Sequence, residues 1–158
     1  MSQEVAVHFT RNGSVAELIA AEVREARRSV DAALYRLTHP SLARSLGEAA
    51  SRGLQIRLVL DQEKYAESPG TRQLLAGYGL SFRLLSGRRG PGAKMHHKFA
   101  IFDRRTALTG SYNWTTESED LNFDNLIVLR DADAIAEYAR EFELLWAAAE
   151  KIKPAAGE

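Results

Sequence analysis

The residues that could do chemistry in this 158-residue chain cluster in two short, neighbouring stretches. His96 and Lys98 offer an imidazole and an ammonium two residues apart in an apolar run, which is typical of a buried strand. Because strand side chains alternate between faces, His96 and Lys98 are expected on one face and His97 on the other. Ser111 and Asn113 repeat the spacing of two. A nucleophilic ring, a fixed cation and small hydrogen-bonding groups that converge on one point suit a phosphate diester.

Other chemistries fit these residues less well. A strand histidine taken alone is more often structural than catalytic, so a catalytic role for His96 depends on its companions. His96 and His97 point in opposite directions and cannot bind one metal ion together. The chain has no Cys, no H-x-x-x-H or H-E-x-x-H spacing, and no G-x-x-x-x-G-K-[ST] phosphate loop. We therefore expect neither a metal site nor a cofactor.

The spacing of these residues carries a resemblance to the HKD signature of the phospholipase D superfamily: His96-x-Lys98-x4-Asp103-x6-Gly110-Ser111-x-Asn113. The flanking residues are similar to the short, single-motif endonuclease branch, which includes small bacterial nucleases and the animal mitochondrial enzyme Zucchini. The similar pattern runs from about Val5 to Trp146. One position departs from the branch, because the acid before the last Asn is usually Glu and is Asp124 here.

A catalytic role follows for each matched residue. A neutral His96 would attack phosphorus, and Lys98 would hold the non-bridging oxygens together with the two small polar residues. Asp124 would accept a proton from the far nitrogen of His96 and so determine its tautomer. Asp103, at an odd spacing from His96, would support the site from behind. The expected catalytic set is therefore His96, Lys98, Asp103, Ser111, Asn113 and Asp124.

The reaction also needs a second imidazole, to protonate the leaving oxygen. His8 and His39 lack a neighbouring Lys and the Ser/Asn pair, so neither is a convincing acid. Members of the family use two motifs per active site, and single-motif members form symmetric dimers. The resemblance therefore implies a homodimer in which two copies of His96 share one site.

The charge of the chain is balanced overall but uneven along its length. The 21 basic and 21 acidic residues cancel, which argues against a general polyanion binder. Between residues 83 and 105, however, basic residues greatly outnumber the single acid, Asp103. This local basic rim could attract a phosphate backbone, although a merely solvated loop would look the same. The candidate substrate-binding residues are Arg88, Arg89 and Lys94.

Strands alternate with helices along the chain, which predicts an α/β fold. Apolar patterns predict strands at residues 5–9, 29–37, 54–60, 80–85, 95–103, up to 109, and 126–129. Helices are predicted from a capping box at Ser14 to about Arg28, then at 40–52, 71–78 and 131–152, with an irregular Gly-rich loop at 86–94. We expect a mostly parallel central sheet with helices on both faces, the phospholipase D-like fold, as one domain over 1–153 and a frayed tail over 154–158.

These features predict a metal-independent phosphodiesterase, foremost an endonuclease that forms a covalent phosphohistidine. The expected partners are a second copy of the chain and a nucleic acid, with single-stranded DNA or RNA in first place. A phospholipid hydrolase or transferase, resembling phospholipase D or cardiolipin synthase, is the enzymatic alternative, and a non-catalytic phosphate-binding module is the third class. No signal peptide or apolar run of membrane-spanning length is visible, so the cytoplasm is the default location.

Overall fold

The computed structural model describes residues 4–151. The strands are β1 (Val5–Phe9), β2 (Ser29–Leu34), β3 (Gln55–Asp61), β4 (Phe82–Gly87), β5 (Gly90–Lys94), β6 (Lys98–Phe102), β7 (Thr106–Gly110), β8 (Asn125–Leu129) and β9 (Glu150–Lys151). The helices are α1 (Val15–Glu25), α2 (Pro40–Ser51), α3 (Gln62–Glu67), α4 (Pro69–Gly77), α5 (Thr116–Asp120) and α6 (Ala132–Ala148). The predicted tail at 154–158 lies outside the described residues.

The strands form one mixed sheet in the order β1-β8-β7-β6-β2-β3-β4-β5, and β9 pairs with β4. Only the β2–β3 and β3–β4 pairings are parallel within the described chain; the others are antiparallel. The α/β class is confirmed, but the prediction of a mostly parallel sheet is wrong. Helices connect β2, β3 and β4, whereas a tight turn joins β6 to β7 and reverses the chain direction.

Helices cover both faces of the sheet, as predicted. Buried side chains of α1, α2 and α4 pack on one face against alternate strand residues such as Val30 and Ala32. Buried side chains of α6 pack on the other face against Ala33, Phe99 and their neighbours. The alternation explains the long apolar runs in the sequence, because the central strands are buried on both sides.

A β-hairpin replaces the irregular loop predicted at residues 86–94. β4 continues to Gly87, the chain turns at Arg88 and Arg89, and β5 returns antiparallel with a register shift near Gly87. The strand β5 was missed because its sequence, Gly-Pro-Gly-Ala-Lys, has no alternating apolar side chains. It pairs with β4 at the edge of the sheet, where Pro is tolerated.

The helix boundaries follow the capping signals in the sequence. Ser14 Oγ accepts a hydrogen bond from the Glu17 backbone N–H at 3.1 Å and so begins α1 as predicted. The last predicted helix, α6, begins as predicted, directly after its N-cap Asp131. It ends at Ala148, before the predicted residue 152. The helices α3 and α5 had not been predicted, and each is only one to two turns long. In residues 4–151, no helix combines the length and apolarity needed to cross a membrane.

Candidate active site

The sheet topology brings the candidate residues together at the carboxyl ends of the parallel strands. We call this side of the sheet the active-site edge. β2 and β3 are parallel and both end there. β6 runs antiparallel to β2 and therefore begins there, β7 ends there, and β8 begins there. The edge thus gathers residues from five strands that are distant in sequence: Tyr35, Asp61, Lys98, Ser111 and Asp124. It is the edge at which open α/β sheets usually bind ligands, beyond the carboxyl ends of their parallel strands.

His96 lies two residues before β6, and the next residue, His97, is hydrogen-bonded to the chain that follows β2. The backbone N–H of Tyr35 donates to the carbonyl oxygen of His97 at 2.8 Å. The His96 ring stands edge-on to the Tyr35 ring, with centroids 4.5 Å apart. The His97 ring instead contacts Phe99, and its Nε2 lies 3.6 Å from Glu141 of α6. The predicted separation of the two histidines onto opposite faces is therefore correct.

The surroundings of His96 favour its neutral form. Its contact with Tyr35 partly desolvates the ring, and this burial lowers the pKa of His96, with the ammonium groups of Lys98 and Lys94 adding to the effect. The carboxylate of Asp61 opposes them and raises the pKa in part. A lowered pKa keeps the imidazole unprotonated at neutral pH, which is the form that can attack phosphorus.

Lys98 connects His96 to the second half of the site. Its Nζ donates to the carbonyl oxygen of His96 at 2.8 Å. Burial lowers the pKa of Lys98, and the negative charge of Asp124 opposes this shift. Ser111 Oγ donates to Asp124 Oδ1 at 2.7 Å and accepts from the backbone N–H of Asn125 at 3.0 Å. The ammonium of Lys98 therefore lies within the influence of both the His96 segment and the hydrogen-bonded Ser111–Asp124 pair.

Gly110 allows this close arrangement. Its φ of 145° lies in a region that other residues rarely adopt, and a Cβ atom at this position would collide with the carbonyl oxygen of Asn125. The chain then continues to Asn113, whose backbone N–H donates to Ser118 Oγ at 3.2 Å. The Gly-Ser pair of the motif is thus needed for the approach of the two strands as well as for its hydroxyl.

Asp61 and Tyr35 are site residues that the sequence analysis missed. Asp61 is 1% exposed, and its carboxylate accepts hydrogen bonds from the backbone N–H groups of Met95 and Lys64 at 2.9 and 3.1 Å. It therefore holds the segment that leads into His96. Both residues lie at the ends of the parallel strands, and the rule that ligands bind at this edge could have identified them.

Asp103 does not belong to the site. It lies at the far end of β6 from Lys98, roughly 16 Å away along an extended strand. Its carboxylate accepts hydrogen bonds from the backbone N–H groups of Arg27, Arg28 and Ser29 at 2.7 to 3.0 Å. These bonds outweigh burial and lower the pKa of Asp103. The expected support from behind the site is therefore wrong, and the carboxylate instead anchors the chain between α1 and β2.

Asp124 is in the site but does not pair with His96 as the triad-like role required. Within residues 4–151, its hydrogen bonds do not include one to the His96 ring of the same chain. Its Oδ2 is buried without a hydrogen-bond partner in this part of the chain, and so is Oδ1 of Asn113. Buried acceptors of this kind are costly unless another group donates to them. The site therefore has two places where a donor from outside the chain could bind.

The three predicted substrate-binding residues occupy two different positions. Lys94 ends β5 next to the site, with its Nζ 5.9 Å from the centroid of the Tyr35 ring. Arg88 and Arg89 are exposed at the tip of the hairpin, the length of β5 away, roughly 17 Å. They are too far to touch the phosphorus that His96 would attack, but a polyanion passing through the site could reach them.

Together these groups provide a neutral imidazole, a fixed ammonium and a hydroxyl at one solvent-accessible position. This combination can attack a phosphate ester and stabilise negative charge on its oxygens. Across residues 4–151, no three His, Asp or Glu side chains are grouped so as to hold a metal ion.

Comparison with known proteins agrees with this chemistry. A family model described as "Cardiolipin synthase, PLD-like domain" matches residues 19–146. The human protein named mitochondrial cardiolipin hydrolase is 36% identical over 121 residues, which are 77% of this chain and 46% of that protein. The chain spans about half the length of the curated relatives it matches first, such as 56% of the Xenopus tropicalis protein of the same name, at 34% identity.

The fold is shared with two solved bacterial structures. Nuc from Salmonella typhimurium, described as a phospholipase D family member, superimposes with a TM-score of 0.84 at 23% identity, over 95% of this chain and 98% of that one. NucT from Helicobacter pylori gives a TM-score of 0.83 at 23% identity, over 94% of this chain and 100% of that one. The expected phospholipase D-like fold is confirmed.

Proposed function

The chain belongs to the single-motif branch of the phospholipase D superfamily, and we propose that it is a metal-independent phosphodiesterase that cleaves single-stranded DNA or RNA as an endonuclease. The observation that carries the proposal is the exposed His96 ring held against Tyr35, beside Lys98 and a Ser111–Asp124 pair. These side chains can supply the nucleophile and the charge stabilisation that the reaction needs.

The reaction has two steps. A nitrogen of His96 attacks phosphorus, a P–N bond forms, and the P–O bond to the leaving group breaks. The leaving oxygen takes a proton from the imidazolium of His96 of the partner subunit, while Lys98 and Ser111 hold the non-bridging oxygens. Water then attacks the phosphohistidine, gives its proton to that second imidazole, and the P–N bond breaks. Both imidazoles return to their starting protonation states.

A nucleic acid is favoured over a lipid by the charges around the site. The ammonium groups of Lys64, Lys94 and Lys98 all lie within 6 Å of the Tyr35 ring centroid, at 5.8, 5.9 and 5.2 Å. Arg88 and Arg89 extend the positive surface along the hairpin. Several separated cations suit a chain of phosphates, whose affinity comes mainly from such contacts.

Hydrolysis of a phospholipid is the second candidate. It is favoured by the name of the human relative, a cardiolipin hydrolase, and by the description of the matching family. A phosphatidyl group carries the same diester and could react with His96 by the same two steps. A non-catalytic phosphate-binding module is disfavoured, because such a module would not need an exposed imidazole with a lowered pKa.

The homodimer is part of the proposal because one chain supplies one motif. The unpartnered Oδ2 of Asp124 supports it, since a partner subunit could donate to this atom. An apolar strip on the sheet supports it as well: Val5, Val7 and Phe9 are 51%, 52% and 49% exposed on the face that α6 leaves open. We call these three residues the β1 strip. Phe9 pairs with Asn125, next to Asp124, so the strip reaches the active-site edge.

One experiment tests the proposed function directly. The protein is incubated in EDTA with labelled single-stranded DNA, RNA, duplex DNA and cardiolipin vesicles, and the products are resolved. We expect endonucleolytic cleavage of single strands at a rate that EDTA does not change, because protein side chains supply every catalytic group. Loss of activity in EDTA with recovery on adding a divalent ion would contradict metal independence. Cleavage of cardiolipin alone would replace the nuclease by the lipid hydrolase.

Subunit mixing tests whether two chains share the site. Equal amounts of wild type and His96→Asn are mixed and allowed to exchange, which leaves about a quarter of the dimers fully wild type and about half mixed. If both imidazoles are required, activity falls towards about a quarter of that of the same total amount of pure wild type. Independent subunits would retain about half. Differently tagged subunits must first show that exchange is complete, because slow exchange would also give half.

A further inference from the structure

A cavity of about 240 Å³ opens beside the candidate catalytic residues, between the ends of β2 and β3 and the helices α3 and α4. Tyr35 lies in its wall and also touches the His96 ring, so the cavity and the reacting position are separated by one side chain. The sequence analysis assigned no role to the cavity. If a phosphate were bound at His96, a part of the same substrate molecule next to that phosphate could enter the cavity.

The lining of the cavity is partly aromatic and partly polar. Tyr35 and Tyr65 contribute aromatic surface, Thr38 and Ser68 contribute hydroxyls, and Leu60 is apolar. Ser68 Oγ already accepts hydrogen bonds from the backbone N–H and the hydroxyl of Thr71. A fatty acyl chain would leave the Thr38 hydroxyl without a partner, which costs free energy. The volume is below the roughly 300–1,000 Å³ of pockets that take drug-sized ligands. A single planar heterocycle with hydrogen-bonding edges fits both the size and the chemistry.

Two cations and two acids line the cavity: Arg36, Lys64, Asp61 and Glu67. Lys64 Nζ is 2.9 Å from Glu67, and the carboxylate of Asp61 accepts hydrogen bonds from backbone N–H groups. Lys94 and Lys98 approach the same Tyr35 ring from the side of the catalytic residues. Cations therefore stand on both sides of Tyr35, as required for a ligand that carries one phosphate at His96 and the next one beyond the cavity.

We propose that this cavity is a nucleobase subsite: it takes the unpaired base next to the scissile phosphate against Tyr65, while Lys64 and Arg36 bind the following phosphate. The inference rests on the proposed function and deepens it. A base can enter the cavity only when it is unstacked and unpaired, so the subsite selects single-stranded nucleic acid over duplex. Aromatic contact with bases tolerates every base, because each has a π face.

The test measures binding in the His96→Asn protein, which cannot turn over the probes. Adenosine 3′- and 5′-monophosphates are titrated beside glycerol 3-phosphate, which carries the same phosphate without a base. We expect one of the two nucleotides to bind about tenfold more tightly than glycerol 3-phosphate, because of base–aromatic contact. Tyr65→Leu should remove this preference and leave the affinity for glycerol 3-phosphate unchanged, since Leu keeps apolar contact with Phe82. Tyr78→Leu, on the exposed end of α4, is the aromatic control and should change neither affinity.

The charge at the entrance is tested with a single-stranded trinucleotide. Lys64→Gln should weaken its binding several-fold, whereas Arg44→Gln, an exposed position on α2, should not. Equal affinities for the nucleotides and glycerol 3-phosphate in the His96→Asn protein with Tyr65 intact would overturn the inference. So would a nucleotide preference that survives Tyr65→Leu, because the base would then bind elsewhere. Failure of the proposed function is read separately, from the substrates cleaved by the His96-containing enzyme in EDTA.

Discussion

His96→Asn is expected to lower the turnover of a phosphodiester by about 10⁴-fold or more, because in a shared site it removes both the nucleophile and the acid. Asn cannot form the phosphohistidine, although it fills much of the same space. His96 is exposed, so the change should alter the free energy of unfolding by less than about 0.5 kcal/mol. The measurement is single-turnover cleavage, with thermal unfolding followed in parallel. An alkaline quench should retain a labelled covalent adduct in the wild type and none in the variant.

His97→Ala is the matched control for this prediction. Its ring faces α6, and its exposed pair with Glu141 at 3.6 Å contributes about 0–1 kcal/mol to stability. We expect this variant to keep activity within a few-fold of the wild type. Comparable rates in the two variants would mean that the alternation of the two histidines has no catalytic consequence, and the assignment of His96 as nucleophile would fail.

Val7→Asp is expected to convert the dimer to monomers and to lower activity by about 100-fold or more, because each monomer would lack the second imidazole. Val7 lies at the centre of the β1 strip and is 52% exposed in the single chain. An interface there would bury the new carboxylate without a partner, which costs several kcal/mol. The measurements are molar mass in solution by light scattering and the initial rate over a range of protein concentrations.

The concentration series separates an interface effect from a folding defect. Activity per chain should rise with concentration if the variant only weakens association, and it should stay flat if the chain is damaged. Ala76→Asp is the control, because it adds the same charge at an exposed position on α4, on the opposite face of the sheet. A monomer with full activity would rule out the shared site. An intact, active dimer would mean that the β1 strip is not the interface.

The sequence by itself predicted which residues could carry the chemistry, and it determined how His96 and His97 are oriented. The alternation of strand side chains is a local property, so the opposite faces of His96 and His97 followed from their positions alone. The same holds for the cap at Ser14 and for the α/β class, which depend on residues a few positions apart. The HKD spacing added the superfamily, which the family match confirms.

Tertiary structure decided everything that depends on pairing between distant segments. The sequence contains no local signal for strand direction, so the mostly antiparallel sheet and the β4–β5 hairpin were not predictable from periodicity. Asp103 follows the motif spacing, yet its carboxylate binds three backbone N–H groups more than 70 residues earlier in the chain. Local spacing placed it on a face of its strand but could not show at which end of the sheet it would act.

Tyr35 and Asp61 are site residues that local sequence patterns could not identify. Each is an unremarkable residue at the end of an apolar run, and each enters the site only because β2 and β3 are parallel and end at the edge where β6 begins. Strand order places the His96 ring against Tyr35 and the N–H of Met95 on Asp61. The sequence thus predicted the candidate reacting groups, whereas the tertiary structure decided their surroundings, because hydrogen bonds and desolvation depend on which strands become neighbours.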